Sequence, residues 1–206
     1  MFVNLKRVLS AVLLALNPLS RDGLVKLLDI DSELISTTLR HLHSILLVPS
    51  DGSKEIRIFH KSFPDFLQDP NRCPDPRFHI DCEARHGDMA LSCLALVGKL
   101  EMNPCTLPPF VMNRDVPDVP KLLRDKLGSG VRYACKHWST RLLYSSTSGE
   151  YGNQLMALAS LFFDHSVFPW MEVMSLEGRL GDVIHSTNHL LDWLSKVSGT
   201  HYGRYP

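Results

Sequence analysis

Leu46-Leu47-Val48-Pro49-Ser50-Asp51-Gly52-Ser53-Lys54-Glu55-Ile56-Arg57-Ile58-Phe59 is the stretch where the hydrophobic pattern of this chain changes period. Leu46-Leu47-Val48 and Ile56-Arg57-Ile58-Phe59 read as extended segments, and Pro49-Ser50-Asp51-Gly52-Ser53 between them is rich in turn formers, so the spacing predicts a β-hairpin. Upstream the period is helical. Leu5, Val8, Leu9, Val12, Leu13 and Leu16 predict a helix from about Asn4 to Leu16, stopped by Asn17-Pro18 because the residue before proline disfavours helical dihedrals. Ser20 is placed to cap a second helix carrying Leu24, Leu27 and Leu28. Asp31 is placed to cap a third, with Leu34, Ile35, Leu39, Leu42 and Ile45 on one face. Three helices followed by a hairpin predict a winged helix over residues 1–68, with Ser32 to Ser44 in the place of a recognition helix.

The hairpin runs straight into Phe59-His60-Lys61-Ser62-Phe63-Pro64-Asp65-Phe66-Leu67. Ser62 and Asp65 have the spacing of a helix N-cap box, Pro64 suits a first turn, and Phe63, Phe66 and Leu67 supply an apolar face. His60 therefore falls just outside a helix N-terminus. There it can help hold a phosphate or another anion, or it can simply close the strand-to-helix corner.

Past this point proline punctuates a connector over residues 69–80, in Asp69-Pro70 and Cys73-Pro74-Asp75-Pro76. Asp81 is placed to cap a long helix to about Leu100, with Met89, Ala90, Cys93, Leu94 and Val97 buried. A loop with Pro104, Pro108, Pro109, Pro117 and Pro120 precedes a short helix, Lys121 to Leu127, which Gly128-Ser129-Gly130 breaks. A helix from Val131 to about Leu143 presents Val131, Ala134, Cys135, Trp138 and Leu142. Segments over about Tyr151–Asp164 and Phe168–Leu176, then a last helix ending near Val197, complete an all-helical part over residues 81–206. The fold class expected is mainly α: a winged helix followed by a helical bundle or array.

Composition narrows the function classes. The chain has 206 residues, 44% apolar and 21% charged, and its 22 basic and 22 acidic side chains cancel, so no overall field recruits nucleic acid or an anionic membrane. The third helix offers Glu33 and Arg40 as its only formal charges, with His41 and His43 nearby, and the hairpin sets Lys54 and Arg57 against Asp51 and Glu55. Few cations face the phosphates that a DNA-binding winged helix must neutralise. Five cysteines with no C-x-x-C argue against a disulfide framework and for a reducing, cytoplasmic setting. Lys6 and Arg7 before the run Val8–Leu16 resemble a signal peptide, but no cleavage site follows and the run is too short to span a bilayer.

No phosphate loop, dinucleotide fingerprint, nucleophile elbow or H-E-x-x-H occurs, so no catalytic residues are assigned. Cys73, His79, Cys82 and His86 form the most metal-like cluster, yet their spacing matches no common zinc pattern. His185 and His189 have helical spacing for a shared metal, with no third ligand beside them. No metal is expected.

At Leu42-His43-Ser44-Ile45-Leu46-Leu47-Val48-Pro49, Ile58-Phe59-His60-Lys61-Ser62-Phe63-Pro64-Asp65-Phe66-Leu67 and Asp75-Pro76-Arg77-Phe78-His79-Ile80-Asp81 the chain resembles fungal NACHT-type STAND NTPases, the large NLR-like signalling ATPases. The resemblance continues through Tyr133-Ala134-Cys135-Lys136-His137-Trp138, Trp170-Met171-Glu172-Val173-Met174-Ser175-Leu176 and Leu190-Leu191-Asp192-Trp193-Leu194, which is nearly the whole chain. It implies a winged helix and helical region placed between a nucleotide-binding core and a sensor, often a WD-repeat propeller. His60 matches the winged-helix histidine that contacts the β-phosphate of ADP and holds the ATPase closed. Plant-type relatives have an aspartate next to that histidine, where Lys61 stands here. The P-loop lysine and serine or threonine and the acidic magnesium-binding strand of such proteins have no counterpart in this chain, nor do the sensor repeats.

The expectation is an excised middle of a STAND NTPase, as a truncation, a partial gene model or a fragment. It would act as a non-catalytic regulatory and interaction module, with no cofactor of its own and ADP or ATP supplied by the family's NTPase core. Expected partners are that core, the sensor and other proteins, with no membrane. The alternatives are a winged-helix nucleic-acid-binding protein and a helical protein-interaction scaffold.

Overall fold

The structure, a computed structural model, describes residues 2–147 and 149–198; the expected tail of the helical part, residues 199–206, lies outside them. The chain is mainly helical. Helices α1 (Phe2–Leu13), α2 (Arg21–Leu28) and α3 (Ser32–Arg40) precede a hairpin of β1 (Leu46–Leu47) and β2 (Arg57–Ile58), and α4 (Ser62–Gln68) follows it. Then come α5 (Cys82–Val97), α6 (Val119–Leu143), α7 (Gly149–Leu161), α8 (Val167–Leu176) and α9 (Asp182–Ser198). No helix among the described residues is long and apolar enough to cross a membrane.

Caps written locally in the sequence set several helix starts. Ser20 Oγ accepts from Gly23 N–H at 3.0 Å, Asp31 Oδ1 from Glu33 and Leu34 N–H at 2.8 and 3.3 Å, and Asp81 Oδ1 from Ala84 N–H at 3.2 Å. The start of α4 departs from the expected box. Lys61 already has helical dihedrals and occupies the N-cap position without a side-chain bond, so Ser62 is the first helical residue rather than the cap. Phe63 N–H instead donates to His60 O at 3.1 Å, and Pro64 falls at the third position, where its missing N–H is one the helix would leave unpaired anyway.

The hairpin is short. Leu46 pairs with Ile58 and Leu47 with Arg57, antiparallel, and the second strand is also fastened to the start of α2: Ile56 N–H donates to Leu19 O at 2.9 Å and Asp22 N–H to Gly52 O at 3.1 Å. Helix α1 stops at Leu13, a turn before the expected Leu16. Groups on α6 take over the polar atoms of that lost turn, as described below.

One apolar cluster runs through both parts of the molecule, from Val8, Leu24, Ile35, Leu46 and Ile56 to Cys93, Trp138, Trp170 and Trp193. Its aromatic centre is a triangle of Trp138, Phe162 and Trp170 with ring centroids 4.8 to 5.7 Å apart in tilted and edge-on arrangements. A π-helical segment, Phe162–Ser166, joins α7 to α8 where a break was expected. Pro169 cannot donate back to the preceding turn, and a wider turn just before it absorbs that loss.

Helix α6 bends at Gly128, whose φ of 69° and ψ of 173° lie outside helical space. The break sets Gly130 against α2: a Cβ there would stand 2.8 Å from Gly23 O, and one on Gly23 would stand 2.6 Å from Ser129 Oγ. Ser20 and Ser129 share a hydrogen bond at 2.8 Å beside this contact. The glycines expected only to end a helix thus let the first three helices meet the helical remainder backbone to backbone.

Candidate functional site

The corner after β2 is the first candidate. Phe59 N–H still donates to Ile45 O at 3.1 Å, but the Phe59 ring is 51% exposed. His60 and Lys61 are both exposed on the turn into α4, and among the described residues the His60 ring has no hydrogen-bond or ion-pair partner. Beneath α4 opens an apolar pocket of about 400 Å³, formed by Leu5 and Leu9 of α1, Phe63 and Phe66 of α4, Leu42 and Phe78. Arg72 lines it, with its guanidinium 5.7 Å from the centre of the Phe66 ring, and the Arg77 guanidinium lies 5.6 Å from that of Phe78. Arg77 also pairs with Asp75 at 2.6 Å, and its hydrogen bonds hold the Asp75 carboxyl down to about 2. The connector reaches this site because Leu67 O accepts from Ile80 N–H at 2.8 Å, closing residues 69–80 into a loop whose buried Cys73 packs with Leu9, Leu13 and Leu67.

A second polar constellation lies inside the molecule. Arg141 on α6 is 0% exposed, and no carboxylate among the described residues is within ion-pair distance of it. Its Nη2 donates to Leu14 O and to the Tyr133 hydroxyl, its Nη1 meets His86 Nδ1 of α5 at 3.0 Å, and its Nε has no partner. The Tyr133 hydroxyl also accepts from Leu16 N–H at 3.3 Å, and His137 Nε2 meets Asn17 Oδ1 at 2.6 Å. Three groups of α6 thereby hold the peeled-off end of α1, and His86 of α5 braces one of them. The guanidinium supplies positive charge where the helix leaves carbonyls unpaired. Burial, and then the positive charge of Arg141, push both His86 and His137 down to about 4, so each is a neutral imidazole near pH 7. Neutral His86 can accept the Arg141 proton at Nδ1, which a protonated ring could not.

On the other side of α6, Glu177 at the end of α8 receives Arg132 at 2.5 Å and Lys136 at 2.8 Å. Burial raises the Glu177 carboxyl, and the hydrogen bonds from Arg132 and Lys136 outweigh that and leave it below its ordinary value.

The remaining sequence candidates do not converge. Cys82 Sγ points to Gln68 Oε1 at 3.3 Å, His86 is committed to Arg141, and Cys73 is buried in the small apolar cluster under α4. Among the described residues no three of His, Cys, Asp and Glu gather as a metal-holding group. His189 meets Ser139 Oγ at 3.3 Å, and His185 is exposed. Burial pushes the Cys93 thiol up to about 12 and raises the Cys135 thiol as well, which keeps both protonated and unreactive near neutral pH.

No family model, curated protein or solved structure matches the chain. Arg141 was not among the residues singled out from sequence. The available signal was its register: it stands seven residues after Ala134 and three after Trp138, on the face that the apolar pattern assigns to the core.

Proposed function

We propose that this chain is a non-catalytic regulatory and interaction module of a STAND/NACHT-type signalling NTPase. In this reading residues 1–68 act as a winged helix that closes on a nucleotide-bound core supplied elsewhere. Residues 69–80 connect it to a helical arm, residues 81–206, that leads toward a sensor. The observation that carries the reading is the His60 corner, where an imidazole with no partner among the described residues stands exposed beside Lys61 at the end of the hairpin. Both groups can offer hydrogen bonds, and Lys61 a positive charge, to a phosphate presented by a neighbouring domain.

The mechanism is differential contact. ADP in the core would bridge to His60 and favour the closed state, and exchange for ATP would remove that bridge. The close Gly23–Gly130 contact and the shared apolar cluster support the next step, because a displacement of the winged helix would carry the helical arm with it as one body. The aromatic-mouthed pocket under α4 favours a protein surface rather than nucleic acid as the neighbour of this corner.

Titration calorimetry of the chain against a STAND NTPase core, loaded with ADP or with a non-hydrolysable ATP analogue, tests the reading. The ADP form is expected to bind about tenfold more tightly, a difference of about 1.4 kcal/mol. Equal affinity for the two forms, or no binding to either, overturns it.

A further inference from the structure

A groove of about 570 Å³ runs between α1, the end of α2, the outer face of α5 and α7, and none of its lining belongs to the hairpin, to α4 or to the His60 corner. Its apolar lining includes Leu27 of α2, Leu91 and Leu96 of α5 and Leu158 of α7. Along α5 it extends from Leu91 to Lys99, about 12 Å at the helical rise, which is two turns of a partner helix.

Three cations line this apolar surface. Arg7 Nη2 donates to Leu28 O at 3.1 Å, which fixes its guanidinium at the wall of the groove, while Lys26 and Lys99 are exposed. Among the described residues none of the three is in an ion pair, and the one acidic side chain lining the groove is Asp29. This is local charge asymmetry in a chain whose charges cancel as a whole. An occupant complementary to it must bring apolar side chains for the leucines and negative charge for the rim.

We propose that this groove is a docking site for an acidic amphipathic helix of a partner protein. A helix with apolar residues at i, i+3, i+4 and i+7 lays a stripe of the right length along the leucines, and Asp or Glu flanking that stripe meets Arg7, Lys26 and Lys99. The site is separate from the nucleotide-facing corner proposed above and stands or falls independently of it.

Selection of a random library of displayed helical peptides on the whole chain tests this. The expected winners carry the i, i+3, i+4, i+7 apolar pattern flanked by Asp and Glu. A synthetic winner is expected to lose at least about tenfold in affinity both on the charge-reversed variant Lys26→Glu/Lys99→Glu and on Ala157→Trp, which fills the groove without changing its charge. All three positions are exposed, so both variants are expected to melt at the wild-type temperature. Neutral or basic winners, winners that bind both variants as well as wild type, or no winners at all overturn the proposal. Vesicles of phosphatidylserine and phosphatidylcholine serve as a second probe. If they bind through Lys26 and Lys99 while no acidic peptide is selected, the surface is a membrane contact and the proposal is likewise overturned.

Discussion

The corner where β2 runs into α4 and the seam where α1 and α5 meet α6 invert the usual partition of side chains in opposite ways. At the corner Phe59, Phe66 and Phe78 keep their rings in contact with solvent, and Phe66 and Phe78 line an apolar pocket that the chain itself leaves open. At the seam Arg141, His86, Tyr133 and His137 lie buried or half-buried and bond to one another and to the end of α1, with Arg141 Nε left over. Exposed aromatic patches and buried polar groups are the two departures from ordinary packing that carry information. On the function proposed above, the first is a surface for a partner to cover; the second is a joint that fixes one helix to another. Their substitutions should therefore behave differently: changes at the seam should cost stability, and changes at the corner should cost only recognition.

The largest effect is expected for Arg141→Met. The substitution keeps much of the volume but strips the donor from Leu14 O, Tyr133 and His86, and we expect a loss of about 3 kcal/mol in denaturant-induced unfolding. A loss under about 0.5 kcal/mol would make the buried guanidinium incidental to the joint. Gly130→Ala comes next. Its methyl would meet Gly23 O at 2.8 Å and push α2 from α6, at a cost of about 2 kcal/mol in the same measurement.

Acid should weaken the seam through its histidines. The folded values of His86 and His137 lie below the ordinary 6.5, at about 4, so below pH 6.5 the unfolded chain takes up their protons first. Their contribution is therefore full above about pH 6.5 and is lost as the pH falls toward 4. Melting temperatures should hold steady from neutral to mildly alkaline pH and decline through that window, less steeply in His86→Gln. The smallest effect is expected for Phe59→Ser, whose exposed ring should contribute within about 0.5 kcal/mol of stability.

How much of this was legible in the sequence follows the same divide. Ser20, Asp31 and Asp81 are caps because an acceptor side chain reaches an N–H only two or three residues on, and such information is local. The hairpin was legible from its change of period, and with it the position of His60 between β2 and α4. Ser62 failed as a cap by one position because the chain entered helical dihedrals at Lys61, a choice the turn at His60 made rather than the side chain. The role of Gly130 depends on Gly23, and that of Arg141 on Leu14 and His86, residues remote in sequence whose meeting only the packed fold decides. The early end of α1 goes with the same meeting, since the Tyr133 hydroxyl accepts the Leu16 N–H that a further helical turn would have used.

The central claim is that the corner is a nucleotide-dependent contact. In a protein carrying both this chain and a STAND NTPase core, dissociation of a fluorescent ADP should be about tenfold faster with His60→Ala than with the wild-type histidine. Because His60 is exposed, the melting temperature should be unchanged. ADP release at the wild-type rate, with the fold intact, would contradict the account.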